Sequence, residues 1–349
     1  MLKYYISRSD LNRILGKLLE RSSVYAPVAS SERVYFENIT QELIDKIVYD
    51  TPREIDPPKS FLFLARRLAA QYFGKEREAP RKPVTIIGIK NCDAAALKAY
   101  DKVLLEGDLF DPFYKEIREG ALFIGSDCGS IWPTCFCTLV GIKPYPESGV
   151  DINLARSENG FLVDIISEKG RKFYNEFAYF FRDATIEEMA DAGSSREGTI
   201  SLLDEQNKEF NWRRPVHEII KGTLNSPAWR KITKYCTECG ACNISCPSCT
   251  CFSMNDQRGD GGFEKLLLWD ACLKGAYAKV AGGANSRPLL HNRHNNRLQC
   301  KFDYSFDRLN MYTCTGCGRC IECCPAKIDM RAAIRDLEKS LVLAQVKLE

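Results

Sequence analysis

The 349-residue chain has no apolar stretch long enough to cross a bilayer, which takes about 20 consecutive residues. Its best candidate, around Ser60–Ala70, is interrupted by Arg66 and Arg67. The opening MLKYYISRSDLNRILGKLLERS lacks the unbroken apolar core and small-residue cleavage site of a secretory signal, so a cytoplasmic protein is expected. Charge of one sign is also missing. Lys and Arg number 49 against 46 Asp and Glu, a net of +3, too little to argue for nucleic acid or an anionic membrane surface. No Gly-rich dinucleotide fingerprint follows a strand: Gly125-Ser126-Asp127-Cys128-Gly129 lacks both the third glycine and the helix. Flavin and pyridine nucleotide are therefore expected on other chains. There is no low-complexity segment and no internal repeat apart from a cysteine motif.

What is present is first an ordinary globular composition, 45% apolar and 27% charged. The spacing of Leu11, Ile14, Leu15 and Leu18 predicts an opening helix capped by Ser9 or Asp10. A second apolar helix is expected over Phe61–Phe73. Val84–Ile89 is a β-branched run bounded by Pro83 and reads as a strand. Ala94–Leu105 reads as a helix, Ala121–Gly125 as a buried strand, and Phe161–Ile166 as another beside a turn at Asn159-Gly160. That order predicts an α/β domain over residues 1–170. A helical linker region over 171–230 follows, with AGSSREG (192–198) as a flexible bend. Residues 231–349 are expected to form a mainly helical, ferredoxin-like domain ending in an amphipathic helix over Asp329–Val346. In that last helix Ile334, Leu337, Leu341 and Leu343 are the apolar candidates.

Cysteine is the outlier, with 17 residues. Four lie between Cys92 and Cys137, none in the next 98 positions, and thirteen from Cys236 to Cys324. In a long chain without an export signal, clustered thiols point to metal rather than to disulfides. Cys236-x2-Cys239-x2-Cys242-x3-Cys246-Pro247 is the bacterial ferredoxin run, and Cys314-x2-Cys317-x2-Cys320-x3-Cys324-Pro325 repeats it. Three thiolates two residues apart wrap one face of an iron–sulfur cube, and the fourth is carried away by the longer step and the proline. In two-run proteins the fourth cysteine ligates the other run's cluster. One [4Fe–4S] cluster is thus assigned to Cys236, Cys239, Cys242 and Cys324, the other to Cys314, Cys317, Cys320 and Cys246. Zinc sites use two CxxC pairs split by a longer loop, which this pattern does not match. Cys323 beside Cys324 offers a second register, and the proline after Cys324 favours Cys324.

Cys92, Cys128, Cys135 and Cys137 follow successive strands whose ends converge in a parallel sheet. They are read as a third metal site, another [4Fe–4S], against the plainer reading of small buried residues. Cys249, Cys251 and Cys272 stand as supplements to a site or as cover for the cubes, and Cys300 and Cys323 as structural. His291 and His294 fall in the basic stretch RPLLHNRHNNR (287–297). The readings there are a docking face or a tuner of cluster potential, with a solvated surface loop as the plainer one.

With these residues in view, the chain resembles the beta subunits of cytoplasmic NiFe sulfhydrogenases and the iron–sulfur A subunit of anaerobic sulfite reductase. The resemblance is carried by the two runs, by CPSCTC (246–251), WDAC (269–272) and CTGCGRCIECCP (314–325). In the N-terminal half it is carried by KNCDAAALKAYD, DPFYKEIREGALFIGSDC, PTCFC and GVDINL. It implies a subunit that is not catalytic alone, relaying electrons between a flavin-containing, NAD(P)H-oxidising partner and a reductase or hydrogenase core in an anaerobic metabolism. The double cysteine Cys323-Cys324 departs from the family pattern. Two rival readings are a self-contained iron–sulfur reductase with an open cluster at the Cys92 site, and a redox-sensing iron–sulfur binding protein.

Overall fold

A computed structural model describes residues 4–72, 82–108, 110–259 and 262–346. The chain runs β1 (Tyr4–Ser7), α1 (Arg8–Arg21), β2 (Ser23–Ser30), β3 (Arg33–Asn38), α2 (Lys59–Leu62), β4 (Arg66–Tyr72) and β5 (Val84–Ile89). It continues through α3 (Asn91–Leu104), α4 (Pro112–Gly120), β6 (Leu122–Ser126), β7 (Ile152–Ser157), β8 (Gly160–Ile165), α5 (Glu168–Glu176), β9 (Arg182–Asp183) and α6 (Ile186–Asn207). Then come α7 (Val216–Gly222), α8 (Ala228–Ile232), α9 (Ala241–Ile244), β10 (Phe252–Gly259) and β11 (Gly262–Trp269). The last elements are α10 (Leu290–Leu298), α11 (Tyr304–Leu309), α12 (Arg319–Glu322) and α13 (Met330–Val346). Two compact units result. One is Met1–Leu62, Pro80–Gln206 and Thr315–Cys317; the other is Phe63–Ala79, Asn207–Cys314 and Gly318–Glu349.

The first unit is α/β, built on an eight-stranded sheet in the order β3-β2-β5-β6-β7-β8-β1-β9. β2, β5, β6 and β7 pair in parallel, while the flanking pairs are antiparallel. β5 is buried from Thr85 to Ile89, the continuous apolar pattern of a central parallel strand covered on both faces. Ile87, Ile124, Ile152, Leu154 and Val163 from the sheet pack with Leu11, Ile14, Leu15 and Leu18 of α1, each large side chain contributing about 1.5–3 kcal/mol by leaving water. The expected strands at 84–89, 121–125 and 161–166 and the helix after the first of them are all present. The cap of α1 differs. Ser7, still extended, accepts from Asp10 N at 3.0 Å, while Ser9 and Asp10 already lie in the helix.

The bend expected at 192–198 is instead the middle of α6. Gly193 and Gly198 face open space, so they cost only helix propensity. Ala192, Thr199 and Leu203 form the buried face, and tertiary packing overrides the small-residue signal. The helix begins with a reciprocal capping box. Glu188 N donates to Thr185 Oγ1 at 3.2 Å, and Thr185 N donates to the Glu188 carboxylate at 2.9 Å. The Arg182 guanidinium, hydrogen-bonded to that carboxylate, holds Glu188 down at about 2. Because the folded value lies below the unfolded one of about 4.3, this contribution is present above that value and is lost as pH falls through 2. Thr185→Ala is expected to cost about 1 kcal/mol, read as a lower midpoint in urea unfolding at pH 7.

The second unit contains helices and a three-stranded antiparallel sheet, β10-β11-β4, so it is not simply a helical domain. The helix expected over Phe61–Phe73 is replaced by the short α2 and by strand β4, which pairs with β11 from Arg66↔Leu268 to Tyr72↔Phe263; Phe73 lies outside the described residues. A short apolar run does not distinguish helix from strand by periodicity, and a partner nearly 200 residues away decided it. The C-terminal helix forms as α13. Ile334 and Leu337 are fully buried, Leu341 is half-buried, and Leu343 is exposed rather than part of the apolar face.

Candidate metal centres

In the second unit, Cys236, Cys239 and Cys242 lie on the turn from α8 into α9. Gly240 there has φ +74°, and a Cβ on it would meet Ala271 Cβ at 2.8 Å, so the loop can close only on glycine. These three thiols and Cys324 line one pocket. Its remaining walls are largely apolar, with Trp229, Leu298 and Met330 among them. The fourth cysteine of the second run therefore faces the first run. Cys320 reaches the same pocket, whereas Cys323 turns its thiol to Cys320 O.

Buried basic groups surround these thiols. The stretch at 287–297 is not a solvated loop: its core is α10, continued by a π-turn over Gln299–Asp303, and Arg293, His294 and Arg297 are buried. His294 Nε2 lies 3.2 Å from Cys236 Sγ. Burial, then Arg297 and Arg293, push the imidazole down to about 4, so it is neutral at pH 7 and its Nε2–H tautomer can donate to sulfur. Arg297 donates to Cys242 O at 3.0 Å, and its Nε is buried with no hydrogen-bond partner. Burial disfavours the Arg297 charge, but Cys242, Cys320, Cys249 and Cys246 more than offset this. Lys301 is likewise buried against Cys246 and Cys249, with Nζ donating to Ser248 Oγ at 2.8 Å. These two buried cations have cysteine sulfurs rather than carboxylates as their compensating neighbours, a surrounding suited to an anionic group held by those thiols.

The first unit brings the N-terminal cysteines together. Cys92 follows β5 at the start of α3, Cys128 follows β6, and Cys135 and Cys137 come from the loop beyond. All four line one pocket, together with Arg53, Lys143 and Leu203. Burial raises the Cys128 thiol to about 12 and takes Cys137 well above the usual range. Thiols so placed stay protonated until a cation displaces the proton. Gln206 Nε2 donates to Trp132 O at 3.1 Å and Cys135 O at 2.9 Å, pinning the loop to α6.

The same unit includes Thr315–Cys317 from the second run. Phe136 N donates to Gly316 O at 2.8 Å, Arg53 Nε donates to Cys317 O at 2.5 Å, and Cys317 borders the N-terminal cysteine pocket. Cys246, Cys314 and Cys320 belong to the second unit. Cys300 is exposed. No three His, Cys, Asp or Glu among the described residues are placed to hold a single metal ion. All-sulfur donor sets, pockets between them and an unpartnered buried guanidinium donor fit polynuclear iron–sulfur groups with acceptor sulfides. Sequence reasoning left His294 open and did not single out Arg297 or Lys301; the signal available was a basic stretch lying between two cysteine runs.

A family model described as a 4Fe-4S dicluster domain matches residues 235–328. The chain is 32% identical over 335 residues to the sulfhydrogenase 2 subunit beta of Pyrococcus furiosus, covering 94% of this chain and 96% of that protein. No helix among the described residues is long and apolar enough to cross a membrane. Paired ferredoxin runs, basic groups buried against their thiols and a match along nearly the whole length establish the chain as an iron–sulfur electron-transfer subunit of the sulfhydrogenase beta-subunit family.

Proposed function

We propose that this chain relays electrons through [4Fe–4S] clusters between a flavin-bearing, NAD(P)H-oxidising partner and a reductase or hydrogenase core. Cys236, Cys239, Cys242 and Cys324 hold one cluster, and Cys314, Cys317, Cys320 and Cys246 hold the other. Cys92, Cys128, Cys135 and Cys137 hold a third. Each cluster supplies one-electron transfer; the protein supplies ligands, apolar walls that exclude water, and compensating charge. The observation that carries the reading is Arg297, buried among cysteines with its Nε unpartnered. Four thiols in the N-terminal pocket can meet all four irons of a cube, which favours a relay over an open cluster that binds substrate.

Anaerobic iron and sulfide quantitation on the full chain tests the cluster count. About twelve irons per chain are expected, and about eight would remove the third cluster. The relay itself predicts that the isolated chain is bleached by a chemical reductant and re-oxidised by an acceptor dye, with no hydrogen evolution or sulfite reduction. Sustained turnover of either by the chain alone would overturn it.

His294 gives a more local prediction. Hydrogen bonds to ligand sulfur raise a cluster's potential. His294→Leu removes the donor at Cys236 and is expected to lower one midpoint by on the order of 40 mV, the equivalent of about 1 kcal/mol in a one-electron couple. A potentiometric titration followed by electron paramagnetic resonance reads this. Unchanged midpoints would show that no N–H reaches that sulfur.

A further inference from the structure

Three cysteines outside the ferredoxin runs meet within the second unit. Cys251 immediately precedes β10 and Cys272 closely follows β11, so pairing of these strands carries both to the base of one hairpin. Phe252 lies opposite Trp269, and Asp270 N donates to Cys251 O at 2.9 Å. Cys272 is the neighbour that acts most strongly on the Cys251 thiol, with Tyr277 also beside it. Asn243 is buried and directs Nδ2 at all three thiols. It lies 3.3 Å from Cys272 Sγ, 3.7 Å from Cys249 Sγ and 3.9 Å from Cys251 Sγ. The amide thus occupies the space among the three sulfurs.

We propose that Cys251 and Cys272 form a two-electron dithiol–disulfide couple beside the clusters. Asn243 Nδ2 is directed at Cys251, and Cys272 beside it brings the Cys251 thiol down to about 6, which favours a thiolate next to a thiol, the arrangement that makes a dithiol reactive. Oxidation forms the bond between the two sulfurs, releases two electrons and frees one proton, that of Cys272. Reduction breaks the bond, takes up two electrons and returns the proton. The electron carriers are one-electron iron–sulfur centres, two transfers per disulfide, which rests on the relay reading above. A one-electron wire would thereby gain a store matched to a two-electron partner.

The test uses the full chain, purified anaerobically and poised over a series of ratios of reduced to oxidised dithiothreitol. The chain is then alkylated with N-ethylmaleimide and digested for mass spectrometry, with iron, sulfide and zinc measured on the same samples. Expected is loss of two alkylatable thiols per chain on oxidation, with a crosslinked peptide joining Cys251 to Cys272 and a two-electron midpoint. C251S and C272S each abolish the crosslink and leave iron content at the wild-type value. A pair that stays alkylatable throughout overturns the proposal, as does a link made to Cys249 instead. So does loss of iron or zinc in either variant, which would make these cysteines metal ligands. Failure of the relay reading appears separately, as a chain without clusters whose crosslink still forms.

Discussion

Cys324→Ala is expected to remove the same cluster as Cys236→Ala, although the two positions belong to different runs. Each single variant should hold about four irons fewer than the wild-type chain. The double variant should also hold about four fewer, because both ligands serve one cube. If each run bound its own cluster, the double variant would lose about eight. The basis is spatial: Cys236, Cys239, Cys242 and Cys324 line one pocket. Cys323→Ala is the register control. Its thiol is turned to Cys320 O, so iron content should stay at the wild-type value. Loss of iron from that variant with full iron in Cys324→Ala would move the ligand by one residue.

Gly316→Ala is expected to be strongly destabilising. Gly316 has φ +64°, and a Cβ there would stand 2.5 Å from Cys137 Cα, 2.6 Å from Cys137 N and 2.6 Å from Phe136 C. All three are backbone atoms, so no rotamer change relieves the clash. Either the loop at 133–137 moves away, breaking the Phe136 N to Gly316 O bond, or Cys317 shifts. Overpacking and a disfavoured φ together amount to about 3 kcal/mol. Gly141→Ala separates these two contributions. Gly141 has a similar φ of +77° but nothing within 4 Å of its added Cβ, so it should cost only about 1 kcal/mol. Urea unfolding of the wild-type chain and both variants, followed by far-ultraviolet circular dichroism, gives the comparison. Equal midpoints for the variants would show that the Gly316 contact is not tight.

The corrections share one cause. AGSSREG carries turn-forming residues, yet it forms helix because Ala192, Thr199 and Leu203 find apolar cover. Phe61–Phe73 has the composition of a buried helix, yet Arg66–Tyr72 extends because β11 offers an edge to pair with. In both places the local signal was weak and a distant partner supplied the larger free energy. His294 shows the same for chemistry. A histidine amid arginines reads as surface, and only the seating of α10 puts its ring against Cys236.

Sequence alone was enough to establish iron–sulfur chemistry, because the ligand loops are contiguous and their spacing is a property of a few covalent links. It also determined β5, α3 and β6, where a β-branched run and a good helix former leave no competing period. Which thiols line one pocket, which cations face them and which thiols meet outside them were decided only in three dimensions. Cys236 and Cys324 are 88 positions apart in the chain, and Cys251 reaches Cys272 only through the eight residue pairs of β10 and β11. Such contacts depend on closing long loops against chain entropy, and that balance is set by the packing of the whole unit rather than by residues near either cysteine.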